Sequence, residues 1–411
     1  IWSDEPAFAA LWRWPALLLL AGLAIEGWLM RRTGVDLNVE VEPRLYLGRE
    51  HRGAFAFTNR TRRPLTLQYA PVTPVAVEPL GAPRKVTAAA RARVHERFSL
   101  HPVRLGAHSW PAVPARILGR LGLAWWTRDL PAAHGIVVAP DTQRIAASRP
   151  RGHATGQRAR RVAGAGSELH QLRAYVAGDP LSRIDWKATA RTRRLVSREF
   201  TEDQHLDVVV AIDAGRLSRI RAGRLDRLGL YANLAARFAE EVTHNDDRIG
   251  LVVFADRPLA VCAPERGAPA VARIRRTLER MSTEPAESDP LAAAARIRSL
   301  LRHRSLVLLL TDLDDATIAD QLARAVRMLS PPHLVVAAGA RNTEIEGLAR
   351  REARTWRDPW IALAAEEHEV RTRRQLELLR RLGVPVVATR DEQLERAVFG
   401  EYERLRRARR I

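Results

Sequence analysis

The chain has 411 residues, 46% of them hydrophobic, and a formal net charge of +20. That is too long for one ordinary core and apolar enough for two, so two folded domains plus an anchor are expected. Lysine occurs only at Lys85 and Lys187, so the positive charge is almost all arginine, spread along the chain among acidic residues. This reads as a compositional bias rather than a nucleic-acid patch. Cys262 is the single cysteine, which excludes an internal disulfide and fits a reducing compartment.

Within residues 8–32, the stretch "WPALLLLAGLAIEGWLM" from Trp14 to Met30 is an expected transmembrane helix at the short end of what crosses a bilayer. The acidic flank (Asp4, Glu5) and the lack of a small-residue cleavage site argue against a cleaved signal peptide. Glu26 is the objection, because a carboxylate in hydrocarbon costs ~2 to 3 kcal/mol unless it meets an interface, a proton or a partner. Arg31 and Arg32 follow, and the positive-inside tendency places the bulk of the chain on the cytoplasmic side of the inner membrane. The chain opens on Ile1 rather than methionine, which leaves room for a further span upstream.

Residues 35–141 hold short, roughly alternating segments ("VDLNVEVEP", "GAFAFTNR", "LTLQYA", "ARVHERFSL", "GIVVAP") separated by turn residues, the pattern of a small antiparallel β-sandwich. The sequon at Asn59 reads as a hairpin turn, and Trp125 and Trp126 read as a core strand. Residues 142–165 lack any apolar period and are expected to form a mobile linker. From 206 to 411 the pattern becomes βα alternation. Strands are expected at Asp207 to Ile212, Ile249 to Phe254, Leu306 to Leu310, Leu334 to Ala338 and Val384 to Val387, with amphipathic helices between them. Strands apolar throughout imply a parallel sheet covered on both faces, with ligand chemistry at the carboxyl ends. The first strand ends at Asp213, and "SLVLLLTD" ends at Asp312.

A domain of this kind resembles a von Willebrand factor A domain, a doubly wound α/β fold, so the whole is expected to be α+β multidomain. That family holds a divalent cation through an Asp-x-Ser-x-Ser loop, a threonine from a second loop and an aspartate after a later strand. Here Asp213 and Asp312 match, but Gly215 and Leu217 stand at the hydroxyl positions and Ser218 is one place out of register. Ser288 or Thr283 is the candidate for the threonine's role. Mg²⁺ wants six oxygens, so the metal site is degenerate, and no cofactor is expected beyond the Mg²⁺ these aspartates leave open. The alternative role for both is helix capping.

Residues 166–205 sharpen the resemblance. "ELHQLRAYVAGDPLSRIDWKATARTRRLVSREF" is similar to the signature of the bacterial domain-of-unknown-function 58 family, with matches at Glu168, Arg173, Tyr175, Gly178, Asp179, Ile184, Asp185, Trp186, Lys187, Ala190 and Arg191. The resemblance implies two membrane helices, of which the sequence displays one. It also implies a MoxR-type AAA+ ATPase as partner and a non-enzymatic adaptor role in assembly or maturation of client proteins. Read physically, "GDP" sets a tight turn and Asp185 caps a short helix through Trp186. "RRLVSREF" then returns as a strand beside the sheet, and Arg183, Lys187 and Arg191 pair with Asp179 and Asp185. Trp186 is expected to be buried and to hold the element down. Two other functions stay open. A metal-assisted hydrolase would use Asp213 and Asp312 with Asp179 and Asp185, although His170, His205 and Cys262 form no constellation with them. A nucleic-acid-binding protein would use the arginines of the linker and of "RLRRARR" at the C-terminus, although no aromatic platform joins them.

Overall fold

The computed structural model describes residues 13–31, 34–142, 163–164, 168–201, 206–314 and 319–407. The expected linker falls almost wholly outside them, as do His205, Arg32 and the last arginines. The chain is a mixed α+β protein with an apolar N-terminal helix and several sheets.

Helix α1 (Arg13–Met30) is 18 residues long, long and apolar enough to cross a membrane, and mostly exposed. Ten strands follow: β1 (Val35–Val41), β2 (Arg44–Tyr46), β3 (His51–Asn59), β4 (Leu65–Tyr69), β5 (Arg84–Ala88), β6 (Arg93–Leu100), β7 (Gly106–Ser109), β8 (Val113–Leu118), β9 (Trp125–Leu130) and β10 (Gly135–Ala139). They form three sheets, ordered β1-β3-β6, β2-β10-β7 and β5-β4-β8-β9, antiparallel except for β2 with β10. Alternation buries Phe55, Phe57, Leu67, Tyr69, Ala115 and Ile117 in one core, as period-two strands should. At the end of β3 the buried Asn59 side chain accepts from Thr61 N at 2.9 Å and donates to Arg63 O at 2.8 Å, which makes the turn its sequon suggested. The tryptophans of β9 depart from expectation. Trp125 is exposed, because β9 starts from a hairpin that meets α1, while Trp126 is partly buried and packs against the core cluster.

Strands β11 (Ala163–Gly164), β12 (Glu168–Ala174) and β13 (Val196–Thr201) make a separate small sheet, with β13 in the middle. The returning segment therefore does form a strand, but it pairs with β12 and not with the large sheet. Between β12 and β13 lies α2 (Trp186–Thr192).

The large sheet is built from β14 (Asp207–Asp213), β17 (Arg248–Phe254), β18 (Pro258–Glu265), β19 (Leu306–Leu310), β20 (Leu334–Ala340) and β21 (Val386–Thr389), while β15 (Arg221–Ala222) and β16 (Leu225–Asp226) form a small hairpin after β14. The order is β18-β17-β14-β19-β20-β21, parallel except at the edge strand β18, which the βα pattern did not reveal. Both faces of β14 are covered. Val208, Val210 and Ile212 pack with α3 (Arg227–His244), α4 (Gly267–Leu278) and α9 (Asp391–Arg407). Val209 and Ala211 pack with α5 (Pro290–Leu300), α6 (Ala319–Leu329) and α8 (Asp358–Arg381). Helix α7 (Thr343–Ala349) follows β20. The first face also joins the sandwich, so one apolar cluster runs through both. Polar ties lock that junction: Asp141 N donates to Asn233 Oδ1 at 2.8 Å, and buried Arg237 donates to Asp141 O at 2.7 Å and ion-pairs with Glu395.

Candidate functional site

The carboxyl ends of β14 and β19 bring Asp213, Thr311 and Asp312 together, as strands in parallel register must. Asp213 is buried, and its carboxylate is enclosed by donors: Gly215 N at 2.9 Å, Thr311 Oγ1 at 2.7 Å, and Ser288 Oγ. Ser218 Oγ donates to the Asp213 backbone oxygen at 2.7 Å. Of the two candidates for the second loop, Ser288 reaches Asp213, whereas Thr283 accepts from Arg219 Nε at 2.9 Å. Neither aspartate is the cap of α3 or α5, and the start of the helix that follows Asp312 lies outside the described residues. The cap of α3 is Asp226 and that of α5 is Asp289, and Asp312 Oδ1 instead accepts from Asp314 N at 2.8 Å.

The decisive residue is Arg227, the first residue of α3, which sequence reasoning did not single out. Its side chain is 2% exposed and ion-pairs with Asp312 through one guanidinium nitrogen and with Asp314 Oδ2 at 3.0 Å through the other. Tyr231, one turn on, donates to Thr311 O at 3.0 Å. A pocket of ≈290 Å³ opens beside this cluster, lined among others by Arg216, Arg227, Asp314, His368 and Arg371. Asp312 thus already has a buried cation of the protein's own. With Gly215 and Leu217 offering no oxygen and the hydroxyls of Ser288 and Thr311 turned to Asp213, the donor set does not fit Mg²⁺. No group of three or more His, Cys, Asp or Glu placed to hold a metal occurs among the described residues. Calorimetric titration of the protein with Mg²⁺ or Mn²⁺ should stay flat at micromolar concentrations, and saturable binding lost in Asp213→Ala would contradict this reading.

Burial pushes the Asp213 carboxyl above its ordinary range, against the opposing pull of Ser288, Thr311, the Gly215 N–H and Arg227. A raised folded-state pKa stabilises the protonated form. Its contribution is complete below the unfolded pKa and is lost as pH rises through the folded one. Asp213→Asn mimics the neutral carboxyl, so between about pH 4 and pH 7 the melting temperature of the native chain should fall relative to that of the variant. A difference that runs the other way with pH would show the carboxylate to be favoured in the fold.

The signature residues lie in one compact element. Gly178 has φ +110°, the left-handed region that glycine tolerates, in a turn closed by Asp179 N donating to Val176 O at 3.0 Å. Arg173 donates two hydrogen bonds to Asp179, both at 2.8 Å, and holds that carboxyl below its ordinary range, aided by the Val176 N–H. Asp185 caps α2 by accepting from Ala188 N at 2.9 Å, as its position predicted. The expected charge pairing is otherwise corrected. The ion-pair partner of Asp179 is Arg173, with the charge of Arg183 adding to the pull on that carboxyl, and the partner of Asp185 is Arg198, at 4.0 Å. Tyr175 donates to Asp179 O at 3.4 Å, and Ile184 is buried. Ala190 is exposed, while the Glu168 side chain lies outside the described residues. Trp186, expected to be buried, is instead 66% exposed, and the buried apolar residue of the element is Ile184, just ahead of α2. Val176, Leu181 and Leu195 of the same element are also exposed.

A family model described as protein of unknown function DUF58 matches residues 171–353. The uncharacterized proteins Mb1516 of Mycobacterium bovis and Rv1480 of Mycobacterium tuberculosis are each 24% identical over 153 residues, covering 37% of this chain and 48% of theirs, so the chain spans about half the length of the curated relatives it matches. Among solved structures it is similar to the conserved hypothetical protein BatB of Bacteroides thetaiotaomicron (13% identity, 48% of this chain, 99% of that one, TM-score 0.31). It is also similar to proximal thread matrix protein 1 of the mussel byssus (13%, 34% and 38%, TM-score 0.26). The segment that carries the Gly178 turn, the Asp185-capped helix and the Arg227 ion-pair cluster is thus the part of the chain that matches the model of the DUF58 family.

Proposed function

We propose that this chain is a non-enzymatic, membrane-anchored interaction protein whose signature element docks on a MoxR-type AAA+ ATPase during assembly or maturation of client proteins, with its bulk on the cytoplasmic side. The observation that carries the reading is the exposure of Trp186 within an element fixed by a bidentate Arg173–Asp179 pair and a helix cap. An exposed tryptophan on a rigid mount, among arginines, is the composition of an interface anchor. The large domain fits a von Willebrand factor A-like scaffold in which Arg227 has taken the cation's place beside Asp312. An arginine at this position suits recognition better than metal-assisted hydrolysis, since a guanidinium does not activate water as a metal ion does. Nucleic-acid binding gains no support either. Arginines of α9 are engaged internally, Arg404 with Glu401, Arg407 with Glu403 and Arg406 with Asp247. The test is to solubilise membranes containing the tagged full chain and identify what co-elutes. A MoxR-type ATPase in stoichiometric yield is the expected result, and its absence from an eluate of intact protein would contradict the reading.

A further inference from the structure

Glu26 ought to be the weak point of a membrane helix, yet it is 0% exposed and has a partner: its Oε1 accepts from the backbone N–H of Leu121 at 2.7 Å. Leu121 lies in the turn between β8 and β9. Contacts between this hairpin and α1 are close along the helix face that carries Gly22, Glu26, Gly27 and Met30, residues spaced four, one and three apart. A Cβ on Gly22 would come within 2.9 Å of Leu123, and one on Gly27 within 2.6 Å of the Trp126 ring. Arg128 donates to Met30 O at 3.0 Å, at the helix end. The glycines are therefore the grooves that let the hairpin lie against the helix.

The geometry sets a depth. Gly22 lies eight residues before Met30, which is ~12 Å along the axis at ~1.5 Å per residue. Leu123 reaches that level. If α1 crosses a bilayer, the hairpin tip cannot stay in water unless half the helix does too. The tip's composition agrees: Leu121 is 56% exposed, Leu123 41% and Trp125 42%, continuous with the exposed leucines of α1. Its backbone is also prepared for a medium without water, since Gly119 N donates to Ala124 O, Gly122 N to Gly119 O and Leu121 N to Glu26. Arg120, the turn's one charge, has a stem long enough to carry its guanidinium toward the headgroups.

We propose that the β8–β9 tip, residues 119–125, is a second membrane-embedded element, seated in the lipid bilayer against the C-terminal half of α1, with Glu26 as the hydrogen-bonding clasp between them. The inference rests on α1 being a membrane anchor. The test uses the full chain in phosphatidylcholine–phosphatidylglycerol vesicles, with an environment-sensitive fluorophore attached at Leu18→Cys, Leu123→Cys or Val75→Cys. Val75 is a residue of the sandwich that is 73% exposed. Cys262 is buried, so the unsubstituted chain gives the labelling background. Spin-labelled lipids should quench the probe at Leu123→Cys to at least about half the extent seen at Leu18→Cys, and should leave Val75→Cys untouched. Quenching at Leu18→Cys with none at Leu123→Cys overturns the hairpin proposal and leaves the anchor standing. An unquenched Leu18→Cys overturns the anchor and the hairpin together. A blue-shifted but unquenched Leu123→Cys means that a second copy or a partner protein covers the tip, which also overturns it. Leu121→Cys should repeat the Leu123 result.

Discussion

Replacing Arg227 with methionine should cost the fold about 3 to 5 kcal/mol, the largest loss expected from any single substitution outside the apolar core. Methionine keeps much of the stem and its apolar contacts, so the cost isolates the charge. Without the guanidinium, the mostly buried Asp312 and Asp314 face each other with only the adjoining pocket to offer them water. The loss should read as an earlier urea midpoint with little change in slope. Neutralising the carboxylates as well, in Arg227→Met/Asp312→Asn/Asp314→Asn, should restore most of the stability, because a wholly uncharged cluster avoids the desolvation that the ion pairs only offset. Arg227→Lys should fall between, since one ammonium cannot serve two carboxylates in the way a planar fork does. A Met variant as stable as the native chain would mean that the cluster is hydrated and the ion pairs contribute little.

Trp186→Ala should have the opposite profile, with almost no effect on the melt and a large one on association. A surface substitution is worth within about 0.5 kcal/mol of stability, so the melting temperature should move by no more than about one or two degrees. As an interface anchor its removal should weaken ATPase binding by more than about tenfold. Asp185→Ala should cost more in stability, ~0.5 to 2 kcal/mol for the lost cap, and should weaken binding indirectly by loosening the helix that presents the indole. Burial of Trp186 would have made it the costlier of the two; its exposure reverses the order. A melt lowered by many degrees in Trp186→Ala would show that the side chain packs in the fold after all.

The contrast between these two sites shows what was legible in the residues alone. The apolar runs of β14, β17, β19 and β20 could be read directly because a strand buried on both faces has no alternative pattern, and the period-two segments of the sandwich were equally plain. Trp186 was not legible, since a helix of seven residues is too short to display a buried face, and the burial went to Ile184 instead. Arg227 was hidden by the abundance of arginine around it. One signal existed: a cation on the first residue of a helix opposes the macrodipole, so it calls for a carboxylate from elsewhere to compensate it. That carboxylate comes from the end of β19, 85 residues later by number, a juxtaposition only the parallel sheet creates. Glu26 was recognised as a problem in the sequence, but its solution lies in a turn that composition marked only as a stretch of leucine and glycine. The long helix α8 also escaped, because its charged, weakly periodic sequence has few buried positions: Ala365, Leu376 and Leu379 are its buried apolar residues.

Site-specific photo-crosslinking tests the interaction reading most directly. A benzophenone side chain placed at position 186 of the full chain, and a control at the equally exposed Val75, would be irradiated in native membranes containing the MoxR-type ATPase. A covalent adduct with the ATPase from position 186 and none from position 75 is the result expected. Equal adducts from both positions, or none from 186 in membranes where the two proteins are intact, would contradict the assignment of the signature element as the docking surface.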